Sequence, residues 1–141
     1  AGRDINDNMG SYVALDLINN MEKKNIQVKG AKVLVMGLTY KENCPDIRNS
    51  GIYNVIQELK KFGCNLDLLD PWADREEIKK IYNTYPISKS NPNTYDSILI
   101  AVAHKKFKNM GIKFISSLGK KNHVIYDLKY LFSKNQFNLR L

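Results

Sequence analysis

Val33-Leu-Val-Met-Gly-Leu-Thr-Tyr-Lys-Glu-Asn-Cys-Pro-Asp-Ile-Arg-Asn-Ser50 starts as an unbroken apolar run and ends as a polar loop. An apolar run without polar alternation predicts a strand buried on both faces. Gly37 ends that strand, and the loop beyond it holds Lys41, Asp46 and Arg48. Ser50 or Asn49 is the expected cap of a following helix. Ile52, Val55, Ile56 and Leu59 recur there at helical spacing, and Gly63 stands at the expected C′ position. A strand that feeds a basic loop and then a helix N-terminus is suited to holding an anion.

Outward from this unit the pattern repeats. Asp7 or Asn8 is expected to cap an earlier helix running to about Lys24, with Met9, Val13, Leu17 and Met21 every four residues and Tyr12 and Ile18 beside them. That stripe is broad for a terminal helix, which predicts packing against a part outside this chain or against a second copy. Further strands are expected at 64–69, 97–103 and 123–126. A short charged helix is predicted at 75–82, and a helix at 107–118 is interrupted by Gly111. Pro86-Ile-Ser is a short edge strand or loop. Trp72 is expected to pack beneath the turn that Pro71 fixes. Continuously apolar strands alternating with helices predict an α/β fold: a three-layer α/β/α Rossmann-like domain with a mainly parallel sheet, preceded by a helix. The division expected is residues 1–28 as helix and 29–141 as the sheet domain.

Composition bounds the partners. The 141 residues carry a net charge of +8. Residues 101–141 hold nine Lys or Arg against the single acid Asp127, so the excess sits in the last third. Such a surface is either solvated or attractive to a phosphorylated ligand. Nucleic acid is disfavoured: no aromatic platform is interleaved with the basic residues, and no recognised motif occurs. A non-catalytic basic module for a nucleotide or nucleic acid is the alternative function. No run is long and apolar enough to span a bilayer. Cys44 and Cys64 form neither a disulfide framework nor a metal motif. A cytoplasmic protein is expected, and the start at Ala1 reads as a piece of a longer chain.

In a parallel sheet, ligands bind at the carboxyl ends of the strands. The loops at 37–50, 103–106 and 127–129 meet there, and all carry basic residues. Beyond Gly37 the first loop has Leu38, Thr39 and Tyr40 where a dinucleotide fingerprint needs further glycines, and Lys41 lacks the spacing of a Walker loop. The pyrophosphate of a nucleotide sugar suits it equally well. Lys41 supplies a point charge and Arg48 a planar fork, while Asp46 either orients Arg48 or caps the next helix. His104 ends a buried strand, where a satisfied structural histidine is the commoner case. Cys44 has no histidine near it in sequence, which argues against a nucleophilic role.

Gly37 to Ser50 resembles the Gly-x-x-Phe-Lys…Asp-x-Arg-x-Ser segment of the UDP-glucose/GDP-mannose dehydrogenase family. Residues 1–10, Asp70-Pro-Trp-Ala-Asp74 and Ala101-Val-Ala-His104 are similar to its branch acting on UDP-N-acetylhexosamines in polysaccharide synthesis. The resemblance runs from residue 1 to about 132. It implies the C-terminal UDP-binding domain, preceded by the end of a long connecting helix through which the family forms homodimers. It implies an enzyme that oxidises the C6 alcohol of a UDP-sugar in two NAD-dependent hydride transfers through a cysteine thioester. The NAD domain and that cysteine belong to a part outside this chain, so the fragment alone is expected to be inactive. Matched by position, Tyr40 and Lys41 imply contacts to the UDP-sugar, Lys129 a contact near the nucleotide, and Arg48 a contact to NAD, with Asp46 and Ser50 supporting. Gly10 occupies the position where some members carry an arginine that reaches a neighbouring subunit's substrate, and Arg3 is the candidate substitute. No metal is implied.

Overall fold

The computed structural model describes residues 2–39, 43, 45–47, 51–128 and 139–140, with the backbone alone at 2–9 and 139–140. A helix, α1 (Gly2–Lys23), precedes β1 (Lys32–Met36), α2 (Ile52–Lys61), β2 (Asn65–Leu69), α3 (Arg75–Tyr82), β3 (Tyr95–Ile100), α4 (Lys105–Met110), α5 (Ile112–Ser117), β4 (Gly119–Asp127) and β5 (Leu139–Arg140). The strands form one sheet in the order β2-β1-β3-β4-β5. Every pairing is parallel, with Val33 opposite Leu66 on one side and Ser97 on the other.

Alternation along β1 sorts the core into two layers, because successive side chains of a strand point to opposite faces. Val33 and Val35 join α1, α2 and α3 through Leu17, Met21, Ile56, Leu59 and Ile78. Leu34 and Met36 join α4 and α5 through Phe107 and Ile115. The expected three-layer α/β/α architecture is therefore present. Helices cover both faces of β1, β3 and β4, as their apolar runs require.

Several local expectations are corrected. The backbone is already helical at Gly2, so Asp7 and Asn8 lie inside α1, where helix continuity overrides their capping preference. The described part of the α1 apolar stripe packs within this domain rather than against an outside partner. Val13, Ala14, Leu17, Ile18 and Met21 are buried in this domain's own core, against α2 and β4, while Tyr12 lies exposed. Gly10 permits that approach: a Cβ there would stand 2.8 Å from Asn54 Cβ. Gly51 holds the N-cap position of α2 without a side-chain cap, while Asn49 and Ser50 lie outside the described residues. Gly111 (φ 81°) interrupts the helix as expected, dividing it into α4 and α5, and α4 starts two residues before the predicted 107. Of the two readings of residues 86–88 the loop holds, with Ile87 N–H donating to Leu68 O at 2.8 Å along the sheet edge. β4 starts four residues before the predicted 123. Its polar first half is mostly exposed and is placed by its pairing to β3 rather than by burial.

Among the described residues no helix is long and apolar enough to cross a membrane.

Candidate functional site

The strand order puts the ends of β1 and β3 side by side, with β2 and β4 flanking them. The helices after β1 and β3 leave to opposite faces. That divergence opens the crevice in which parallel α/β sheets take ligands. Gly37 makes the first bend. Its φ of 102° is a glycine conformation, and a Cβ would stand 2.6 Å from Val102 Cβ. Its N–H donates to Leu69 O at 2.8 Å, which ties the bend to the end of β2.

Beneath this crevice lies a buried polar network. Asp70, at the end of β2, accepts from Leu38 N–H at 2.7 Å on Oδ2 and from the N–H groups of Trp72 and Ala73 at 2.7 and 3.0 Å on Oδ1. The His104 side chain, at the end of β3, is fully buried. Its Nδ1 accepts from Asn43 N–H at 2.9 Å, so the ring proton is on Nε2. That N–H lies between Asp70 Oδ2 and Thr39 Oγ1, each 3.1 Å away. Phe107 meets the ring edge-on at 5.3 Å. Burial alone would raise the Asp70 pKa, but the hydrogen bonds from His104, Leu38 and Trp72 outweigh it and hold the carboxyl below its ordinary value. Asn43 is pinned a second time, its Oδ1 accepting from Lys105 N–H at 3.1 Å. It adopts φ 56°, which asparagine tolerates better than most residues.

The predicted site residues divide sharply. Tyr40, Lys41, Arg48, Ser50 and Lys129, with Cys44 and the side chain of Arg3, lie outside the described residues. Asp46 is half-buried beside the buried Ile47. His104 is satisfied on both nitrogens, as the commoner reading of a strand-end histidine has it. Trp72 is corrected: it is 47% exposed rather than packed under its turn. With Asn43, Pro71, Lys105, Lys106 and Asn109 it lines an open hollow of about 400 Å³. The turn is filled instead by the Asp70 carboxylate. Sequence reasoning missed Asp70 and Thr39. The available signal was an acid at the end of a strand and before a proline, a place where a side chain caps its own turn.

The β1 bend does not fit the pyrophosphate of NAD. In a dinucleotide-binding turn the amides after the first glycine face the ligand. Here Leu38 N–H is consumed by Asp70, and Leu38 itself is fully buried. Among the described residues no cluster of His, Cys, Asp or Glu could hold a metal ion.

A parallel sheet covered by helices on both faces, with the helices after β1 and β3 leaving to opposite sides, defines a Rossmann-like domain. The chain belongs to the UDP-glucose/GDP-mannose dehydrogenase family, whose UDP binding domain matches residues 34–134. Over all 141 residues it is 50% identical to a UDP-N-acetyl-D-glucosamine 6-dehydrogenase of Salmonella typhi and 47% identical to one of Pseudomonas aeruginosa, covering 33% of each. The native structure of the UDP-N-acetyl-mannosamine dehydrogenase Cap5O from Staphylococcus aureus superposes with a TM-score of 0.70 at 27% identity, over 99% of this chain and 31% of that one. The chain thus spans about a third of the length of the curated relatives it matches.

Proposed function

We propose that this chain is the nucleotide-sugar-binding end of an NAD-dependent UDP-sugar 6-dehydrogenase. Its substrate is a UDP-N-acetylhexosamine, whose C6 alcohol is oxidised to a carboxylate for polysaccharide synthesis. The observation that carries this reading is the 50% identity to a UDP-N-acetyl-D-glucosamine 6-dehydrogenase along the whole chain. The crevice at the β1 and β3 ends supports it, because the loop that carries Tyr40 and Lys41 starts there. In this reading Lys41 and Lys129 neutralise the diphosphate, Tyr40 packs against the nucleotide sugar, and Arg3 reaches substrate across subunits. Arg48 is this domain's contact to NAD, which is otherwise held by the remainder of the protein together with the cysteine nucleophile. The setting is cytoplasmic. The protein is a homodimer through α1, where Tyr12 and Leu15 are exposed large hydrophobic residues among those described.

Calorimetric titration of UDP into the full-length protein tests the reading. Lys41→Ala removes one charge-assisted contact and is expected to weaken binding by about 1.5–3 kcal/mol. Equal affinity in the variant and the wild type would take Lys41 out of the site.

A further inference from the structure

Trp72 is the chain's only tryptophan, and nearly half of it faces solvent. A lone exposed aromatic is ordinary on a protein surface. This one is a wall of the hollow of about 400 Å³ that Lys105 and Lys106 also line. The walls are set by one connected group of hydrogen bonds. Asp70 Oδ1 holds the N–H groups of Trp72 and Ala73, and its Oδ2 lies 3.1 Å from Nε2 of His104, the residue before Lys105. Asn43, a third wall, gives its N–H to His104 Nδ1 and takes the Lys105 N–H on its own Oδ1. These bonds satisfy buried backbone groups, so they serve stability first. The same bonds fix the ends of β1, β2 and β3 around the hollow, and preorganised walls lower the ordering cost of binding.

The side chains that line the hollow are uncommitted. Among the described residues neither the Lys105 nor the Lys106 ammonium has a carboxylate or hydrogen-bond partner, and no cation or ring lies over the indole. Tyr85 shows the contrary case: Arg75 and Lys79 stand 5.5 and 5.7 Å from its ring centre. Tryptophan attracts cations more strongly than tyrosine does, yet the face of Trp72 stays open beside two lysines. No acid lines the hollow, so its field is positive. Its volume falls within the range of small-molecule sites. A flat π face, two ammonium groups and the Asn109 carboxamide match the parts of a nucleotide. Any base stacks on an indole, phosphate oxygens take ammonium groups, and a carboxamide both donates to and accepts from a base edge. The sequence alone has no aromatic interleaved with its basic residues; the fold brings one to them from the end of another strand. One ring seats one base, whereas a strand needs a row of them.

We infer that the hollow lined by Trp72, Lys105 and Lys106 is a nucleotide site, with the base stacked on the indole and phosphate held by the two ammonium groups. The chemistry is shared by the uridine nucleotide of a nucleotide sugar and the adenine nucleotide of NAD. Taking those two as the sources rests on the functional reading above.

The test uses the full-length protein. UDP and NAD are titrated separately by calorimetry, inorganic pyrophosphate serves as a ligand without a base, and thermal unfolding checks folding. Trp72→Ala is expected to raise the dissociation constant of UDP or of NAD about tenfold, as the loss of one base–aromatic stack does. Its affinity for pyrophosphate should equal that of the wild type. Trp72→Phe keeps a flat ring and should stay within about threefold of the wild type. Lys105→Ala combined with Lys106→Ala should weaken the same nucleotide and flatten its dependence on salt. A response of UDP places the uridine nucleotide in the hollow, and a response of NAD places the adenine nucleotide there. A folded Trp72→Ala protein with wild-type affinity for both overturns the inference, as does an equal loss for pyrophosphate. A single-stranded oligonucleotide that binds far more tightly than either nucleotide, and only with Trp72 present, overturns it in favour of nucleic acid. Should Trp72→Ala fail to fold, the lysine variant decides, and unchanged affinity for both nucleotides overturns the site. Wild-type protein that binds neither UDP nor NAD overturns the functional reading and this one together. A wild type that binds, matched by both variants, overturns this one alone.

Discussion

At the carboxyl ends of the strands Thr39, Asp70, His104 and Asp127 are buried. At the amino ends the polar residues face water. Asn25, Lys29, Asp96, Lys120, Lys121 and Asn122 line an open hollow of about 480 Å³ there. Both ends join the same strands, and both must satisfy the backbone where the ladders stop. The amino end does so with exposed loops and solvent. The carboxyl end uses buried side chains, each of which costs free energy unless fully paired. Concentrating that cost at one end marks where loop shape matters more than loop closure.

The hardest blow to this contrast is Asp70→Ala. It strands the N–H groups of Leu38, Trp72 and Ala73 and the Nε2–H of His104 in a dry site. Unsatisfied buried donors cost about 1–3 kcal/mol each, and partial relaxation leaves an expected total of about 4 kcal/mol in denaturant unfolding of the chain. The loss should depend on pH. The native pKa of Asp70 lies below its ordinary value of 3.8. Its contribution is therefore complete above the ordinary carboxylate range and fades as pH falls through the lowered native value. The gap between wild type and variant should narrow in acid. A gap that widens there would mean that the carboxylate is not what holds the turn.

Gly37→Ala comes next. The new methyl meets Val102 at 2.6 Å in a backbone conformation with φ 102°. Overpacking and a left-handed non-glycine residue each cost about 1–3 kcal/mol, so a loss of about 3 kcal/mol is expected in the same unfolding measurement. Gly30 is the matching position at the amino end. It has φ 86°, but nothing lies within 4 Å of its would-be Cβ, so it lacks the packing part of that penalty.

The same contrast explains what the sequence disclosed. Strands β1 and β3 are visible as apolar runs because helices bury both their faces. The meeting of the loops after β1 and β3 at one rim followed from strand order, since ligand crevices in parallel sheets lie at carboxyl ends. The pairing of Asp70 with His104 did not, because 34 residues separate them and neither carries a local signal for the other. Trp72 was misread for the same reason: an aromatic beside Pro71 suggests burial unless one knows that the Asp70 carboxylate already fills the turn. The α1 stripe was expected to pack against a part outside this chain or against a second copy, because amphipathicity shows that a face is buried but not against what; Val13 to Met21 pack against α2 and β4. The described part of β5, Leu139–Arg140, is defined by its pairing to β4, a feature without sequence periodicity.

The smallest expected effect sharpens the comparison from its other side. Lys120 Nζ lies 3.2 Å from Asp96 at the amino end, with the lysine side chain 47% exposed. Asp96 also accepts from Lys32 N–H at 2.9 Å, so it keeps a partner when the lysine is lost. Exposed pairs of this kind are worth about 0–1 kcal/mol and weaken with salt. Lys120→Ala should therefore shift the unfolding midpoint only slightly, and less at high ionic strength than at low. A loss as large as that of Gly37→Ala, insensitive to salt, would place a second rigid end on this sheet. The confinement of costly polar order to the ligand side would then no longer hold, and the argument from burial to binding would lose its asymmetry.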